Sequence, residues 1–541
     1  MRSLVALSGF AVCAAAQSLP FPLVPIGDEL VPDTGVMEAL RPLERAVVGP
    51  VTLPGGREVH FELVRVAKPF QDTVIHVNGA PTDMKPDARV SLWRAAILGQ
   101  PGSSGFFGFS PRGSRGWIRG DGELHHLVAY AGEGGDWSAS RSRLVSQEWI
   151  LDQGYGPTLE CEVDAFGGDI TQVAQKPSGG TIAGGALVPI LECRIAVESD
   201  YQYYQVFGDL GAATDYLVML FGAASDRYRE QIGTILTANY MGFYTNPADP
   251  WTAQDVGGSC IDVLYEFQAA WKFGGGPVTS DLYHLVSGAS LGCGVAWLPG
   301  LCDQEYGFAV SGNIHGQTPI PIIPHDPLNW DFMVFTHETG HNFGTPHTHD
   351  FCPPVDECAP SGYWGSCQDE QACITDGTLM SYCHLCDGGY TNITTYFHPI
   401  PADTMRSYAE GSCLQPFEGV FTTNLGFSKP GSGGDPLLEV TWDVVGDAVE
   451  FLTSNTPASD LGVIVGSFAG PVYTPLYGGT LVPSPDIIKS INSDAAGTSL
   501  LTAPVAPGFA PAGAFFWAQT WFLDGGAYAA SNGVEVELIV P

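Results

Sequence analysis

The stretch that decides the fold is DFMVFTHETGHNFGTPHTHD, residues 331–350. It contains the pattern HExxHxxGxxH, formed by His337, Glu338, His341, Gly344 and His347. Residues four apart lie above one another on a helix, so His337 and His341 can offer two imidazole nitrogens to one metal ion. Gly344 favours a left-handed turn that ends the helix and returns His347 to the same place. Three imidazoles leave zinc a fourth position for water, as in catalytic zinc sites.

Glu338 follows the first histidine and is placed to take a proton from zinc-bound water rather than to coordinate the metal. The competing interpretation is a pair of hydrogen-bonded core histidines on an amphipathic helix. A glycine and a third histidine at fixed spacing make the pattern far more specific than HExxH alone. We therefore expect a catalytic zinc site with Glu338 as its general base.

A second motif, GTLMSY, occupies residues 377–382. On both motifs the sequence resembles the metzincin zinc endopeptidases, most closely their adamalysin or reprolysin-like branch, over about residues 190–415. The resemblance implies that Met380 forms a hydrophobic floor beneath the metal. It also implies, by similarity to the astacin and serralysin pattern, that Tyr382 approaches the metal and stabilises the oxyanion. Ordinary core packing is the alternative for both side chains.

The sequence departs from the adamalysin-like pattern directly after the third histidine. Thr348 stands where that branch has an aspartate, and His349 competes with His347 for the third ligand position. We favour His347 because its spacing from the glycine fits the motif. His384 and His398 are interpreted as packed histidines without a role at the metal.

Twelve cysteines lie beyond residue 16, and seven of them fall within residues 352–413. This even number favours disulfides formed in an oxidising compartment. The alternative is a zinc ribbon built on the CxxC of Cys383 and Cys386.

Cys161 has two interpretations. By resemblance to latent metzincins, its thiolate is a switch that occupies the open position of the zinc. Residues 187–413 hold eleven cysteines, an odd number that Cys161 would complete. We therefore favour a disulfide, with Cys193 as the proposed partner.

The fold class expected from the sequence is multidomain α+β. Residues 1–16 are interpreted as a signal peptide, with an N-terminal core strand as the alternative. Residues 17–186 are predicted to be a β-rich, propeptide-like domain. Residues 187–416 are predicted to be a metzincin α/β catalytic domain with a twisted mixed sheet and an active-site helix, and residues 417–541 a C-terminal β-sandwich accessory domain.

Individual elements can also be assigned from periodicity. Helical spacing of apolar residues predicts helices over 212–228 and 261–273, and apolar runs predict strands over 235–244 and 282–287. In the C-terminal region, Trp517, Trp521 and Phe522 are interpreted as core aromatics on a strand, with an exposed binding strip as the alternative.

Composition excludes several functions. The chain has 58 Asp and Glu against 22 Lys and Arg, for a net charge of -36. Such a surface repels phosphate backbones, so we expect no nucleic-acid partner. Beyond the signal peptide no apolar stretch is long enough to span a membrane. The expected location is extracellular or at the cell surface.

The sequence therefore predicts a secreted zinc endopeptidase that hydrolyses peptide bonds in extracellular proteins and peptides. It needs one catalytic zinc, whereas calcium has no motif in its support. By resemblance, an edge strand near residues 291–298 pairs with extended substrate. The alternative is a catalytically idle metzincin-fold binding or adhesion protein of the cell surface or matrix. Subsite preference and oligomeric state are left open.

Overall fold

The structure is a computed structural model that describes residues 18–41, 43, 45–66, 70, 73–86, 89–146, 149, 160–161, 190–316, 330–417, 419–443, 448–504 and 514–539. The predicted signal peptide, residues 1–16, lies outside the described residues. The described chain is mixed α+β and rich in strands. This agrees with the fold class expected from the sequence.

The described residues before 162 include thirteen strands and one α-helix. The strands are β1 (Ser18–Leu19), β2 (Leu23–Ile26), β3 (Glu29–Pro32), β4 (Arg45–Thr52), β5 (Glu58–Arg65), β6 (Val74–Val77), β7 (Ala80–Pro81), β8 (Ser91–Ile97), β9 (Ser104–Phe109), β10 (Arg115–Gly120), β11 (Glu123–Tyr130), β12 (Arg141–Ser146) and β13 (Glu160–Cys161); the helix is α1 (Thr34–Leu40). Strand β5 alternates exposed or half-buried and buried residues, the period of a sheet with one face on a core. Ten of these strands form one sheet in the order β1-β4-β5-β8-β9-β10-β11-β12-β3-β2.

The middle region forms a second sheet with helices on both faces. Its strands are β14 (Leu191–Ser199), β15 (Thr234–Phe243), β16 (Leu282–Val286), β17 (Cys293–Ala296), β18 (Phe308–Ser311) and β19 (Gln415–Pro416). Its helices are α2 (Tyr201–Phe207), α3 (Leu210–Ile232), α4 (Cys260–Gly274), α5 (Trp330–Asn342) and α6 (Pro399–Glu410). The helices and strands predicted from periodicity are confirmed, with ends shifted by at most four residues.

This second sheet, called the central sheet below, extends beyond the region predicted to form it. Its order is β13-β17-β18-β16-β14-β15-β6-β7, with β19 paired to β14. Strand β6 is parallel to β15, and β13 is parallel to β17. Both outer strands therefore come from the N-terminal region that the sequence suggested was a separate unit. The hydrophobic core is also shared, because Ile75 and Leu92 lie in one cluster with Leu217 and Phe221.

Helix α3 crosses the middle of this shared core. Asp209 caps its start by accepting a hydrogen bond from the Ala212 N–H at 2.7 Å. Gly233, with φ of 66°, ends it in the left-handed conformation. Within the described residues no single helix is long and apolar enough to cross a membrane. Helices α2 and α3, which are bent by 103° relative to each other, are long and apolar enough only when they are taken together.

Ten cysteines of the middle region form five disulfides. The pairs are Cys260–Cys293, Cys302–Cys413, Cys352–Cys367, Cys358–Cys383 and Cys373–Cys386. The alternative of a zinc ribbon at Cys383 and Cys386 is therefore wrong, since each is bonded to another cysteine. The disulfides are compatible with an extracellular protein.

The predicted bridge between Cys161 and Cys193 is wrong. Cys193 is a free, fully buried thiol on β14. Strands β17, β18 and β16 separate it from Cys161 on β13. Four strand spacings of about 4.8 Å amount to about 19 Å, far beyond the reach of a disulfide. Cys193 instead packs as a small apolar side chain in the core.

The C-terminal region forms further sheets from eleven strands. They are β20 (Gly419–Gly426), β21 (Leu437–Asp443), β22 (Ala448–Ser454), β23 (Leu461–Ser467), β24 (Pro471–Leu476), β25 (Gly479–Pro483), β26 (Ile487–Asn492), β27 (Ser499–Pro504), β28 (Ala514–Asp524), β29 (Ala527–Ala530) and β30 (Gly533–Ile539). A six-stranded sheet, β20-β30-β28-β23-β26 with β29 on β28, and a three-stranded sheet, β21-β22-β27, share one hydrophobic cluster. Trp521 and Phe522 are buried, as expected of core aromatics, whereas Trp517 is only half-buried.

Candidate metal centre and active site

Helix α5, called the site helix below, carries the first two histidines of the motif and is anchored at its start by a buried aspartate. Asp331 in its first turn is fully buried. Its carboxylate accepts hydrogen bonds from the Tyr216 hydroxyl at 2.5 Å and from the N–H groups of His315 and Gly316 at 3.2 and 3.0 Å. A negative charge is also favourable at the N-terminus of a helix. Sequence reasoning did not single out Asp331, whose only local signal is an acidic residue in a first helical turn.

Helix α3 holds the rest of the site helix. The Tyr228 hydroxyl donates a hydrogen bond to the Thr336 carbonyl at 3.0 Å. The rings of Phe221 and Phe335 meet edge to face, with centroids 5.9 Å apart. The site helix is therefore fixed at its start and along its length by one neighbouring helix.

Three histidine side chains converge at the end of the site helix. His341 Nε2 lies 3.0 Å from His337 Nε2 and 3.2 Å from His347 Nε2. All three residues are buried. A tetrahedral zinc ion with Zn–N bonds of about 2.0–2.1 Å separates its nitrogen ligands by about 3.3 Å. The three Nε2 atoms thus have the spacing that zinc requires.

The outer nitrogens of two of these rings face carbonyl groups. His337 Nδ1 lies 2.6 Å from the Leu379 carbonyl oxygen, and His341 Nδ1 lies 2.9 Å from that of Thr345. A carbonyl can only accept, so Nδ1 carries the hydrogen and the Nε2 lone pair points to the centre of the trio. Burial lowers the pKa of His341 well below its usual value, which keeps the imidazole neutral. The residues present therefore fit a zinc ion.

A glycine turn brings the third histidine into place. Gly344 has φ of 84°, in the left-handed region that favours glycine. Its N–H donates to the His341 carbonyl at 2.8 Å, just past the end of the site helix. The turn places His347 in the trio. His349 instead stacks on the ring of His347 with centroids 5.2 Å apart.

The GTLMSY segment passes beside the histidines. Met380 is fully buried, and its sulfur packs against Gly340 of the site helix. The Met380 carbonyl accepts the Thr348 N–H at 3.0 Å, which joins this segment to the loop that carries His347. Tyr382 is also fully buried, and its ring centroid lies 4.4 Å from that of His347. The structure thus brings both predicted residues next to the metal trio.

Glu338 faces the edge of the central sheet. It is 1% exposed, and a Cβ atom at Gly294 of β17 would overlap its Oε1. Gly294 also forms the backbone register pair of Cys161 on β13. Glu338, strand β17 and the backbone of Cys161 on β13 therefore lie next to one another. The importance of Gly294 had no signal in the sequence, because a glycine in a short strand commonly marks only a bend.

His384 and His398, the two histidines that the sequence analysis set apart from the metal ligands, lie outside the trio. His384 stacks on Tyr390 with ring centroids 5.2 Å apart. His398 caps the start of α6, where its Nδ1 accepts the Ile400 N–H at 3.2 Å. Both agree with their interpretation as packed side chains.

Comparison with known proteins gives one sequence match and several structural ones. Residues 191–395 match the family Reprolysin_5, Metallo-peptidase family M12. No curated protein matches the sequence. Metalloproteinase-II from Bacteroides fragilis is 12% identical, with a TM-score of 0.33 over 67% of this chain and 90% of that one. OgpA from Akkermansia muciniphila is 11% identical, with a TM-score of 0.22 over 66% of this chain and 97% of that one. One chain of a chaperone–substrate complex is 8% identical, with a TM-score of 0.24 over 68% and 58%.

The sequence match and the histidine trio together define the class of protein. The protein is a zinc metalloendopeptidase, and its residues 191–395 resemble the metzincin type, whose substrates are proteins or peptides. The match to metallopeptidase family M12 covers residues 191–395, less than half of the chain. The reprolysin-like branch expected from the sequence agrees with the matching family.

Proposed function

We propose that the protein is an exported endopeptidase in which His337, His341 and His347 hold one catalytic zinc ion and Glu338 is the general base. The observation that carries the proposal is the cluster of three Nε2 atoms, in which those of His337 and His347 lie within 3.2 Å of that of His341. In two of the three rings, His337 and His341, the Nδ1 atom faces a carbonyl. Zinc bound there supplies a Lewis acid that polarises the scissile carbonyl and lowers the pKa of a water to about 7.

The protein side chains then divide the work. Glu338 takes the proton from the attacking water and returns it to the leaving amine. The backbone of β17 pairs with extended substrate and holds the scissile bond beside that carboxylate. Tyr382 supports the developing oxyanion, and Met380 packs beneath the trio. The burial of Glu338 against Gly294 favours this arrangement, because a carboxylate screened from bulk water exchanges protons with little competition.

The decisive experiment is Glu338→Gln. Removing a general base should lower kcat by about 10²- to 10⁴-fold while one zinc ion per chain is retained. Glu410→Gln is the matched control, because Glu410 lies in an exposed ion pair with Arg406 on α6. Casein hydrolysis, its block by 1,10-phenanthroline and zinc content measured by atomic absorption give the readout. Wild-type activity in a zinc-loaded Glu338→Gln protein would exclude this role.

The second candidate is a catalytically idle metzincin-fold protein that binds the cell surface or matrix. Intact Glu338 disfavours it, since such a protein has no need of a buried carboxylate beside three histidines. A purified wild-type chain that binds zinc and cleaves neither casein nor gelatin, after proteolytic removal of residues 150–189, would favour this candidate.

Export and latency complete the proposal. Residues 1–16 are proposed as a cleaved signal peptide, which N-terminal sequencing of protein from the medium would test. The segment around Cys161 is proposed to keep the uncut enzyme latent, with the Cys161 thiolate at the open position of the zinc. Support comes from the backbone pairing of Cys161 with Gly294, at the edge where substrate would bind. With the bridge to Cys193 excluded, the switch is the remaining interpretation of Cys161.

Residues 417–541 are proposed to be a β-sandwich accessory domain. The two sheets that share one hydrophobic cluster support this assignment. No catalytic role is proposed for it. A chain truncated after residue 416 should keep its peptidase activity on small peptides.

A further inference from the structure

We infer that residues 18–146, called the N-terminal body, stay bound to residues 190–413 after the chain between them is cut, as a permanent part of the enzyme. The sequence alone suggested a propeptide-like domain for this part of the chain. This inference goes beyond the proposed function and does not depend on it, because it concerns binding between two parts of the chain.

The first observation is that helix α3 is buried on all sides. Seventeen of its residues are buried: Ala212, Ala213, Thr214, Asp215, Tyr216, Leu217, Val218, Met219, Leu220, Phe221, Gly222, Ala223, Ala224, Ser225, Arg227, Tyr228 and Ile232. One side packs on the site helix and the central sheet. The opposite side bears Asp215, Met219, Gly222 and Asp226, whose spacings of four, three and four residues place them in one stripe. A helix buried all round needs a cover on this outer stripe as well.

The N-terminal body supplies that cover at every position of the stripe. Leu92 lies directly against Gly222, and a Cβ atom at Gly222 would overlap the Leu92 side chain. Met219 packs against Gly108, where a Cβ atom would overlap its sulfur. At the far end of the stripe, Arg94 forms an ion pair with Asp226 at 2.5 Å.

Asp215 at the near end is 1% exposed, so protein groups and not bulk water must balance its negative charge. Arg89 pairs with it at 2.9 Å, and the Ser110 hydroxyl donates to it at 2.5 Å. Both partners belong to the N-terminal body. If the body left, Met219 would lose its apolar cover and the carboxylate would lose both partners, and each loss opposes dissociation.

The second observation is the strand that the N-terminal body adds to the central sheet. β6 pairs with β15 from Val74↔Tyr240 to Val77↔Phe243, and the Asn78 N–H extends the ladder to the Phe243 carbonyl at 2.8 Å. Ile75 on this strand is fully buried in the shared core. Loss of the body would leave β15 as an unpaired edge above an open core.

A third observation connects the N-terminal body to the start of the site helix. Arg115 is 2% exposed, lies over the rings of Trp137 and Tyr216, and donates to the Gly316 carbonyl at 3.4 Å. Tyr216 is the residue whose hydroxyl holds Asp331. The N-terminal body therefore supports the contacts that position the site helix.

No disulfide joins the two parts within the described ranges, so their association can be tested by cutting the chain. A recognition sequence for a specific protease is inserted between Gly180 and Thr181 of the full chain, which also carries Glu338→Gln to prevent self-digestion. After complete cleavage we expect both fragments to elute from size exclusion in one peak at low micromolar concentration and to separate only in urea. Two separate peaks in native buffer would overturn the inference.

Two leucines of the N-terminal body give a test variant and its matched control. Leu92 is 5% exposed and faces Gly222, whereas Leu98 is 45% exposed on the same body. Leu92→Asp should release the cut fragment, and Leu98→Asp should leave it bound. If Leu92→Asp does not fold, amide exchange of residues 211–226 in the cut and uncut wild-type chain replaces it. Equal protection supports the inference, and a large loss of protection on cutting contradicts it.

Discussion

At one edge of the central sheet, β6 pairs with β15 over four residues and is backed by a packed body. At the other edge, β13 pairs with β17 over two residues, beside Glu338. The first pairing is continuous with the hydrophobic core, and the second crosses the place where substrate is proposed to bind. A parallel strand is therefore added at both ends of the sheet. β6 extends the hydrophobic core, and β13 covers β17 beside the candidate site.

β15 and β17, the strands on which β6 and β13 are added, each have a glycine against which a buried glutamate lies. Glu198 of β14 lies over Gly242 of β15, and Glu338 of the site helix lies against Gly294 of β17. Burial raises the pKa of Glu198 to about 8, partly offset by its hydrogen bond from Tyr240. The β15 edge therefore holds a carboxyl that is protonated at neutral pH, and we propose that the β17 edge uses its carboxyl in catalysis.

The largest expected effect is at the β15 edge. Ile75→Ala should lower the free energy of unfolding by about 2–5 kcal/mol, since it removes a fully buried side chain from the core. Val74→Ala is the control, because Val74 is 42% exposed on the same strand and should change stability by less than about 1 kcal/mol. Urea unfolding followed by fluorescence measures both. Equal effects would show that β6 is not part of the core.

A catalytic effect is expected at the β17 edge. In Gly294→Ala the new methyl group displaces the Glu338 carboxylate, and kcat should fall about 10- to 100-fold, equivalent to about 1.4–2.7 kcal/mol. Zinc content should not change, because the histidines are not touched. Gly242→Ala is the control at the opposite edge: it should lower stability through Glu198 and leave kcat per folded molecule unaltered. Equal effects of Gly294→Ala and Gly242→Ala on kcat would contradict a catalytic role for the carboxylate beside Gly294.

The pH dependence of stability should separate the two glutamates further. Because the pKa of Glu198 is higher in the folded than in the unfolded chain, its burial costs stability progressively as pH rises from about 4.5 towards 8. At about 1.4 kcal/mol per unit of pKa shift, Glu198→Gln should lie close to wild type near pH 5 and be more stable by about 4 kcal/mol above pH 8. Urea midpoints at pH 5, 7 and 9 give the slope. A difference that does not change with pH would contradict the buried-carboxyl explanation.

The smallest effect on stability, and a distinct one on activity, is expected at Cys161. Cys161→Ser should change the free energy of unfolding by less than about 0.5 kcal/mol, because β13 pairs over only two residues. The uncut variant should nevertheless cleave peptides faster than the uncut wild type. Alkylation of the exported chain in denaturant without reduction should label two thiols, Cys161 and Cys193. Labelling of one thiol or of none would indicate that Cys161 is in a disulfide and would contradict the switch.

The sequence predicted the site better than the surroundings of the site. The pattern from His337 to His347 is local: helical spacing and one glycine turn are enough to bring three imidazoles together. Secondary structure followed in the same way from periodicity. The contacts of Glu338 with Gly294 and of Asp331 with Tyr216 join residues far apart in the chain, and no periodicity reports them.

Two errors have identifiable physical causes. Val74–Val77 is a short strand, and nothing in four residues tells which sheet it joins, so its pairing with β15 was not predicted. The expected bridge to Cys193 came from counting cysteines and assuming that each one pairs. A thiol in the centre of a sheet gains as much from apolar packing as a small hydrophobic residue does.

The disulfide between Cys358 and Cys383 makes the geometry of the site depend on its redox surroundings. Cys383 directly follows Tyr382, three residues after Met380, and the Ser381 hydroxyl accepts the Cys383 N–H at 3.1 Å. In a reducing environment the segment that carries the Leu379 carbonyl would lose this covalent tie, and His337 would lose the fixed acceptor for its Nδ1. The His337 ring would then be less firmly oriented towards the other two histidines wherever thiols stay reduced.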